Sequence, residues 1–148
     1  MSKTHLTPVL DAAAVNELIQ TAYPQLNAGA RDYEAVEVFQ GGCVVRLNAT
    51  ERHLRPGNTV SGPSLFTLAD IGGYVCVLSH AGPDALSVTT NLNINFMRKA
   101  EAGPVEGHCR ILKLGKSLMV FDCDMVAGPD KVTVAHATGT YSIPPKRG

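Results

Sequence analysis

One segment, SGPSLFTLADIGGYVCVLSHAG, constrains this chain more than any other. Pro63 suits a first helical turn and Gly82-Pro83 ends the element, which predicts one long helix over about 63–80. Leu65, Phe66, Leu68, Ala69, Ile71, Tyr74, Val75, Val77 and Leu78 fall on every side of it, the pattern of a helix buried all round. Gly72 and Gly73 would each cost about 1 kcal/mol inside a helix, so they imply close packing against a sheet or a partner helix. The rest of the chain has to wrap around it.

That remainder supplies strands. LSVTTNLNINFMRK, VEGHCRILKLG, SLMVFDCDMVA and KVTVAHATGTYSI follow the helix, with turn signals at Gly115-Lys116 and Gly128-Pro129-Asp130 that make consecutive strands antiparallel neighbours. In the first, Val88, Thr90, Leu92, Ile94 and Phe96 alternate with Thr89, Asn91, Asn93 and Asn95, the period of a half-buried strand. Before the helix, YEAVEVF and CVVRLNA flank Gly41-Gly42 as a hairpin, and Thr50 to Val60 reads as a polar loop. Asp11 to Tyr23 carries Ala14, Leu18, Ile19 and Ala22 at helical spacing, with Asp11 as N-cap and Pro24 as stop. The expectation is one α+β domain over residues 1–148, an antiparallel sheet from Tyr33 onward curled around one apolar helix.

Thirteen basic residues balance thirteen acidic ones, so there is no basic field for nucleic acid. Asp11, Asn16 and Glu17 interrupt the N-terminal stretch before it reaches the length of a secretory core or a membrane span, which points to the cytoplasm and away from a membrane. Cys43, Cys76, Cys109 and Cys123 are far apart in sequence and lack metal-ligand spacing, so they read as small buried hydrophobes. No metal or organic cofactor is expected. His53, His80, His108 and His136 read as surface or hydrogen-bonded structural residues, with His136 able to face a cleft.

Two features of the long helix carry chemistry. Asp70 is a carboxylate midway along it among apolar neighbours, where an unpaired charge is expensive. It is either held by hydrogen bonds in a structural role or is a reactive group. Gly62 lies at the helix start, where the first amides have no internal partner and can point at an oxygen. Ordinary capping by Ser61 or Gly62 is the plainer alternative.

The run GNTVSGPSLFTLADIGGY resembles the helix-start motif of the phenylacetate-degradation (PaaI) type acyl-CoA thioesterases of the hotdog superfamily, His-Gly-Gly followed by Leu-Ala-Asp. TTNLNINFMRKAEAG, LKLGKSLMVFDCDM and VTVAHATGTYSI are similar to that family's later strands, so the resemblance spans about Leu47 to Ile143. It implies hydrolysis of a small, medium-chain or aromatic acyl-CoA. Asp70 would be the nucleophile or general base, the Gly62 amide would polarise the thioester carbonyl, and Thr89 would help orient the attacking water. Ser61 stands where the family has histidine, Pro63 replaces the second glycine and cannot donate, and Arg55 replaces an asparagine. Asn58 and Ser61 are polar and near the site, and are candidate substrate contacts. Arg98, Lys99, Lys113 and Lys116 are candidates for the phosphates of coenzyme A. Two other readings share the fold: an acyl-thioester hydratase or dehydratase, which would want a histidine on or near this helix, and a non-catalytic acyl-CoA binding module.

Gly62 and Asp70 are eight residues apart, about 12 Å along one helix at roughly 1.5 Å per residue. One thioester cannot touch both groups of a single chain. The expected active unit is therefore a homodimer, or a dimer of dimers, with each site built from two chains across a two-fold axis.

Overall fold

A computed structural model describes residues 6–83 and 86–145 of the chain; Met1–His5, the start of the N-terminal stretch considered above, lie outside them. The apolar segment forms helix α2, Gly62–His80. Ser61 is its N-cap: its Oγ accepts the Ser64 N–H at 3.3 Å and its carbonyl accepts the Leu65 N–H at 3.1 Å. From Ile71 to His80 every residue is buried. The first half differs from expectation, because Pro63 and Phe66 are exposed and Thr67 and Asp70 half-exposed. Their spacing of three to four residues places them on one stripe, which the sheet leaves uncovered.

The strands that wrap α2 are β1 (Tyr33–Phe39), β2 (Gly42–Leu47), β5 (Val88–Phe96), β6 (Val105–Leu114), β7 (Leu118–Ala127) and β8 (Val132–Ser142). They form one six-stranded antiparallel sheet in the order β1-β2-β6-β7-β8-β5. Phe121, Leu47, Leu68, Leu78, Met119 and Met125 fill the space between sheet and helix. At Gly73 a Cβ would stand 2.5 Å from the Phe121 ring and 2.8 Å from the Tyr141 ring, so only glycine lets α2 approach this closely. The four cysteines, distant in sequence, converge in this core. Cys43, Cys109 and Cys123 are cross-strand partners on β2, β6 and β7, and Cys76 Sγ lies 3.6 Å from Cys43 Sγ. All four are buried free thiols.

The segment expected to be a plain polar loop is more ordered than that. Thr50 and His53 cap a turn at Glu51–His53, and β3 (Leu54–Arg55) pairs with β4 (Thr59–Val60) in a two-stranded ribbon outside the main sheet. Gly57 and Asn58 make the reversal at φ 97° and 60°, which glycine and asparagine tolerate. The ribbon fixes the start of α2, since Val60 N–H donates to Ala100 O and Ser61 N–H to His53 O, each at 2.8 Å.

The two sheet edges are treated differently. Helix α1 (Ala12–Ala22) begins at Asp11, whose Oδ1 accepts the Ala14 N–H at 2.8 Å, and buries Val15 and Ile19. Asn16 on α1 donates to Ala35 O at 2.9 Å and accepts from Ala35 N–H at 2.8 Å. Asn27, at the end of the 3-10 turn Pro24–Asn27, repeats this with Tyr33 at 2.9 and 3.0 Å. Each carboxamide imitates one rung of a further strand, so the first half of the β1 edge is covered at Tyr33 and Ala35. The β5 edge carries no such cover, and Val88 and Phe96 on it are 57% and 54% exposed. No helix of the described residues is long and apolar enough to cross a membrane.

Candidate active site

Asp70 sits in the third turn of α2 at the mouth of a cavity of about 460 Å³. Thr89 Oγ1 donates to Asp70 Oδ1 at 2.5 Å. Simple alternation would not bring it there, because it places Thr89 on the face opposite Thr90 and Leu92. A β-bulge between Thr89 and Asn91 shifts the phase by one residue, so that Thr89 pairs with Tyr141 and turns towards the helix while Leu92 and Ile94 keep their places.

Tyr141, near the end of β8, is the group that sequence reasoning missed. Its hydroxyl lies 2.8 Å from the Asp70 carbonyl and 3.0 Å from Asp70 Oδ1. Burial, and then the neighbouring Asp70 charge, push this hydroxyl well above the ordinary tyrosine range, so it remains a donor. Both donors fall on Oδ1, which fixes the carboxylate and leaves Oδ2 for chemistry. A signal was present in the inward phase of β8, Ala135, Ala137, Gly139 and Tyr141: three small residues that admit the helix, then one large polar-tipped ring.

Gly62 lies at the other end of the exposed stripe, on a second cavity of about 420 Å³ lined by Arg55, Phe96, Arg98 and Lys99 among others. Ser64 and Leu65 amides are taken by Ser61, and Pro63 has none. The Gly62 N–H is left without a partner among the described residues. It is a ready donor for an anionic oxygen. Arg55, noted in the sequence only as a departure from the family pattern, becomes one of three cations beside it.

Other expected site residues fall elsewhere. Ser61 reaches the site only as the helix cap, its hydroxyl also donating to Ser64 Oγ at 2.9 Å. Asn58 is exposed at the tip of the β3–β4 reversal, donating its N–H to Arg55 O, and does not line the Gly62 cavity. Arg98 and Lys99 follow Phe96, which pairs with Ala135, whereas Lys113 and Lys116 flank the β6–β7 turn, where Leu118 pairs with Ser142 and Ser142 with Val88. The expected phosphate set is therefore divided between opposite ends of the sheet, because β5 runs its full length between them. His136 faces Asp124 at 2.6 Å across the outer side of the sheet and lines no part of either cavity. His80 is buried, joining the end of α2 to Gly41 N and Phe39 O.

Comparison with known proteins places this geometry. Residues 57–134 match the thioesterase superfamily. A crystal structure from Silicibacter sp. TM1040, named "putative thioesterase", is 43% identical with a TM-score of 0.85, covering 96% of this chain and 97% of that one. A Pseudomonas aeruginosa protein named "putative esterase" is 35% identical over 103 residues, 68% of this chain and 75% of the relative. The 1,4-dihydroxy-2-naphthoyl-CoA hydrolase of Listeria monocytogenes is 25% identical over 99 residues, 67% of this chain and 80% of that protein. The chain belongs to the thioesterase superfamily, and is a thioester hydrolase with the hotdog fold.

Proposed function

We propose that this protein hydrolyses acyl-CoA thioesters, taking a small, medium-chain or aromatic acyl group, without metal or organic cofactor. The observation that carries the reading is the paired donation of Thr89 and Tyr141 to one oxygen of Asp70. A carboxylate held in this way presents Oδ2 in a fixed direction, either to attack the thioester carbon or to take a proton from water. The unpartnered Gly62 amide receives the oxyanion, a contribution typically on the order of 100-fold or more in rate. Arg55, Arg98 and Lys99 beside Gly62 suit the phosphates of coenzyme A, and the Listeria relative's name is consistent with a CoA substrate.

The functional unit in this reading is a homodimer, alone or in a dimer of dimers, formed along β5. Asp70 and Gly62 open on different cavities of one chain, and each is incomplete alone. The exposed stripe of α2 and the uncovered β5 edge lie between them, while the β1 edge is covered at Tyr33 and Ala35 by Asn27 and Asn16. A two-fold axis beside β5 would set Gly62 of one chain against Asp70 of its partner. The buried free thiols suit a reducing cytoplasm.

The test is release of free thiol from a panel of acyl-CoAs by the wild-type protein and Asp70→Asn. Turnover that collapses in Asp70→Asn supports the reading. Binding without turnover, or an Asp70→Asn variant as fast as wild type, overturns it.

A further inference from the structure

The cavity beside Asp70 is lined in part by a stretch of the chain outside the region that matches the superfamily. Residues 57–134 supply most of the lining, Asp70, Ile71, Tyr74 and Thr89 among it, and β8 adds Tyr141, but Ala22, Tyr23 and Leu26 come from the junction between α1 and the following 3-10 turn. Pro24 ends α1 there, and the reversal sets the Tyr23 ring edge-on to Tyr74, at 6.5 Å between centroids and 83° between planes. Tyr74 in turn stacks on Tyr141 at 6.2 Å and 23°. The junction is held in place from behind: Asn16 and Asn27 fasten it to the β1 edge by four hydrogen bonds, independently of α2. It forms one wall of the cavity that Asp70 also lines.

We infer that this junction, through Ala22, Tyr23 and Leu26, determines which acyl groups the enzyme accepts. The inference rests on the thioesterase reading above. With the thioester carbon at Asp70 and the nucleotide drawn to the cations around Gly62, the acyl group extends away from them. The cavity contiguous with Asp70 then receives it, between Ile71 and Tyr74 on one side and Tyr23 and Leu26 on the other. Its volume of about 460 Å³ suits one ring or a short to medium chain. Tyr23 offers an aromatic edge to such a ring and a barrier to a longer chain. The wall lies outside the segment that carries Asp70, Thr89 and Gly62, and it reaches Asp70 only through the Tyr74 and Tyr141 rings, so a change of acyl preference is read from the ratio of rates between chain lengths and not from the absolute rate.

The experiment measures kcat/KM by thiol release for straight-chain acyl-CoAs from acetyl to palmitoyl and for aromatic acyl-CoAs, in wild type, Tyr23→Ala, Leu26→Ala and Ala22→Leu. Each methylene that gains a buried place is worth about four-fold. Opening the wall in Tyr23→Ala or Leu26→Ala should move the optimum to longer chains and raise the long-to-short ratio about ten-fold or more. Ala22→Leu, which keeps a good helix former and narrows the cavity, should move it the other way. Turnover with the same optimum in all the wall variants overturns the inference alone. Absence of wild-type turnover on every acyl-CoA overturns the thioesterase reading, and the inference with it.

Discussion

Tyr141→Phe removes one oxygen and leaves the packing intact. The ring is buried at 3% exposure, stacked on Tyr74 and tilted against Phe121 at 6.2 Å, and phenylalanine keeps both contacts. What disappears is the donor shared by the Asp70 carbonyl and Oδ1. A hydrogen bond to a charged group contributes about 1.5–3 kcal/mol, or about 10- to 150-fold if all of it is expressed in the transition state. Thr89 still holds Oδ1 at 2.5 Å, so the loss should fall near the lower end, about 10- to 30-fold in kcat. KM should change by less than about three-fold, because the lost bond orients the carboxylate. The Asp70 carbonyl sits within α2, so stability should fall by only about 0.5–1.5 kcal/mol, about 1–6 °C in Tm for a domain of this size. Adding Thr89→Ala releases Oδ1 completely, and the double variant should lose more than the product of the two single losses. Since the tyrosine is pushed above its ordinary range, wild type should show no loss of rate from Tyr141 ionisation near pH 10. Steady-state thiol release and thermal melts check all of these. A Tyr141→Phe enzyme with unchanged kcat would refute the assignment of Tyr141 as a positioning residue.

The shared site predicts complementation: Asp70→Asn and Gly62→Pro homodimers should each be nearly inactive, and co-refolded mixtures should recover activity through heterodimers with one intact site. Mixtures that stay inactive despite confirmed subunit exchange would contradict a two-chain site. A chelator should leave the rate unchanged; loss restored by zinc would reveal a metal requirement. Gly73→Ala gains about 1 kcal/mol of helix propensity but drives a methyl into the Phe121 and Tyr141 rings, at a cost of about 1–3 kcal/mol. Its Tm should drop and its kcat fall with it, and an unchanged melt would mean that the rings relax freely. Lys131 Nζ, 2.6 Å from Glu106, holds that carboxyl below the usual glutamate range. The stabilisation is present above the ordinary value of about 4.3 and is lost as pH falls through the depressed one. Lys131→Met should therefore lose under about 1 kcal/mol at neutral pH and show a flatter acid limb in unfolding titrations, since the pair is near the surface.

Much of the architecture follows from local pattern. An apolar run with a glycine pair reads as a helix packed closely on most of its surface, and from Ile71 to His80 every residue is buried. Gly41-Gly42, Gly115-Lys116 and Gly128-Pro129-Asp130 turn the strands back on themselves wherever they are read. Asp70 and Gly62 stand out for the same reason: a charge among hydrophobes and an amide before a proline are anomalies visible in one dimension. The partners of Asp70 were not visible in this way. Thr89 reaches it through a one-residue bulge that no alternation pattern announces, and Tyr141 is 71 residues away, brought alongside by the β5–β8 register. Phe66 reads as core and stands exposed, because the sheet that would cover it ends at β5. Lys116 reads as a neighbour of Arg98 and Lys99 in chemistry, but strand direction separates them by the length of the sheet. Backbone periodicity and turn chemistry are written within a few residues and are decided there. Which side chains meet depends on register, bulges and edges, and these are set only when the whole core packs at once.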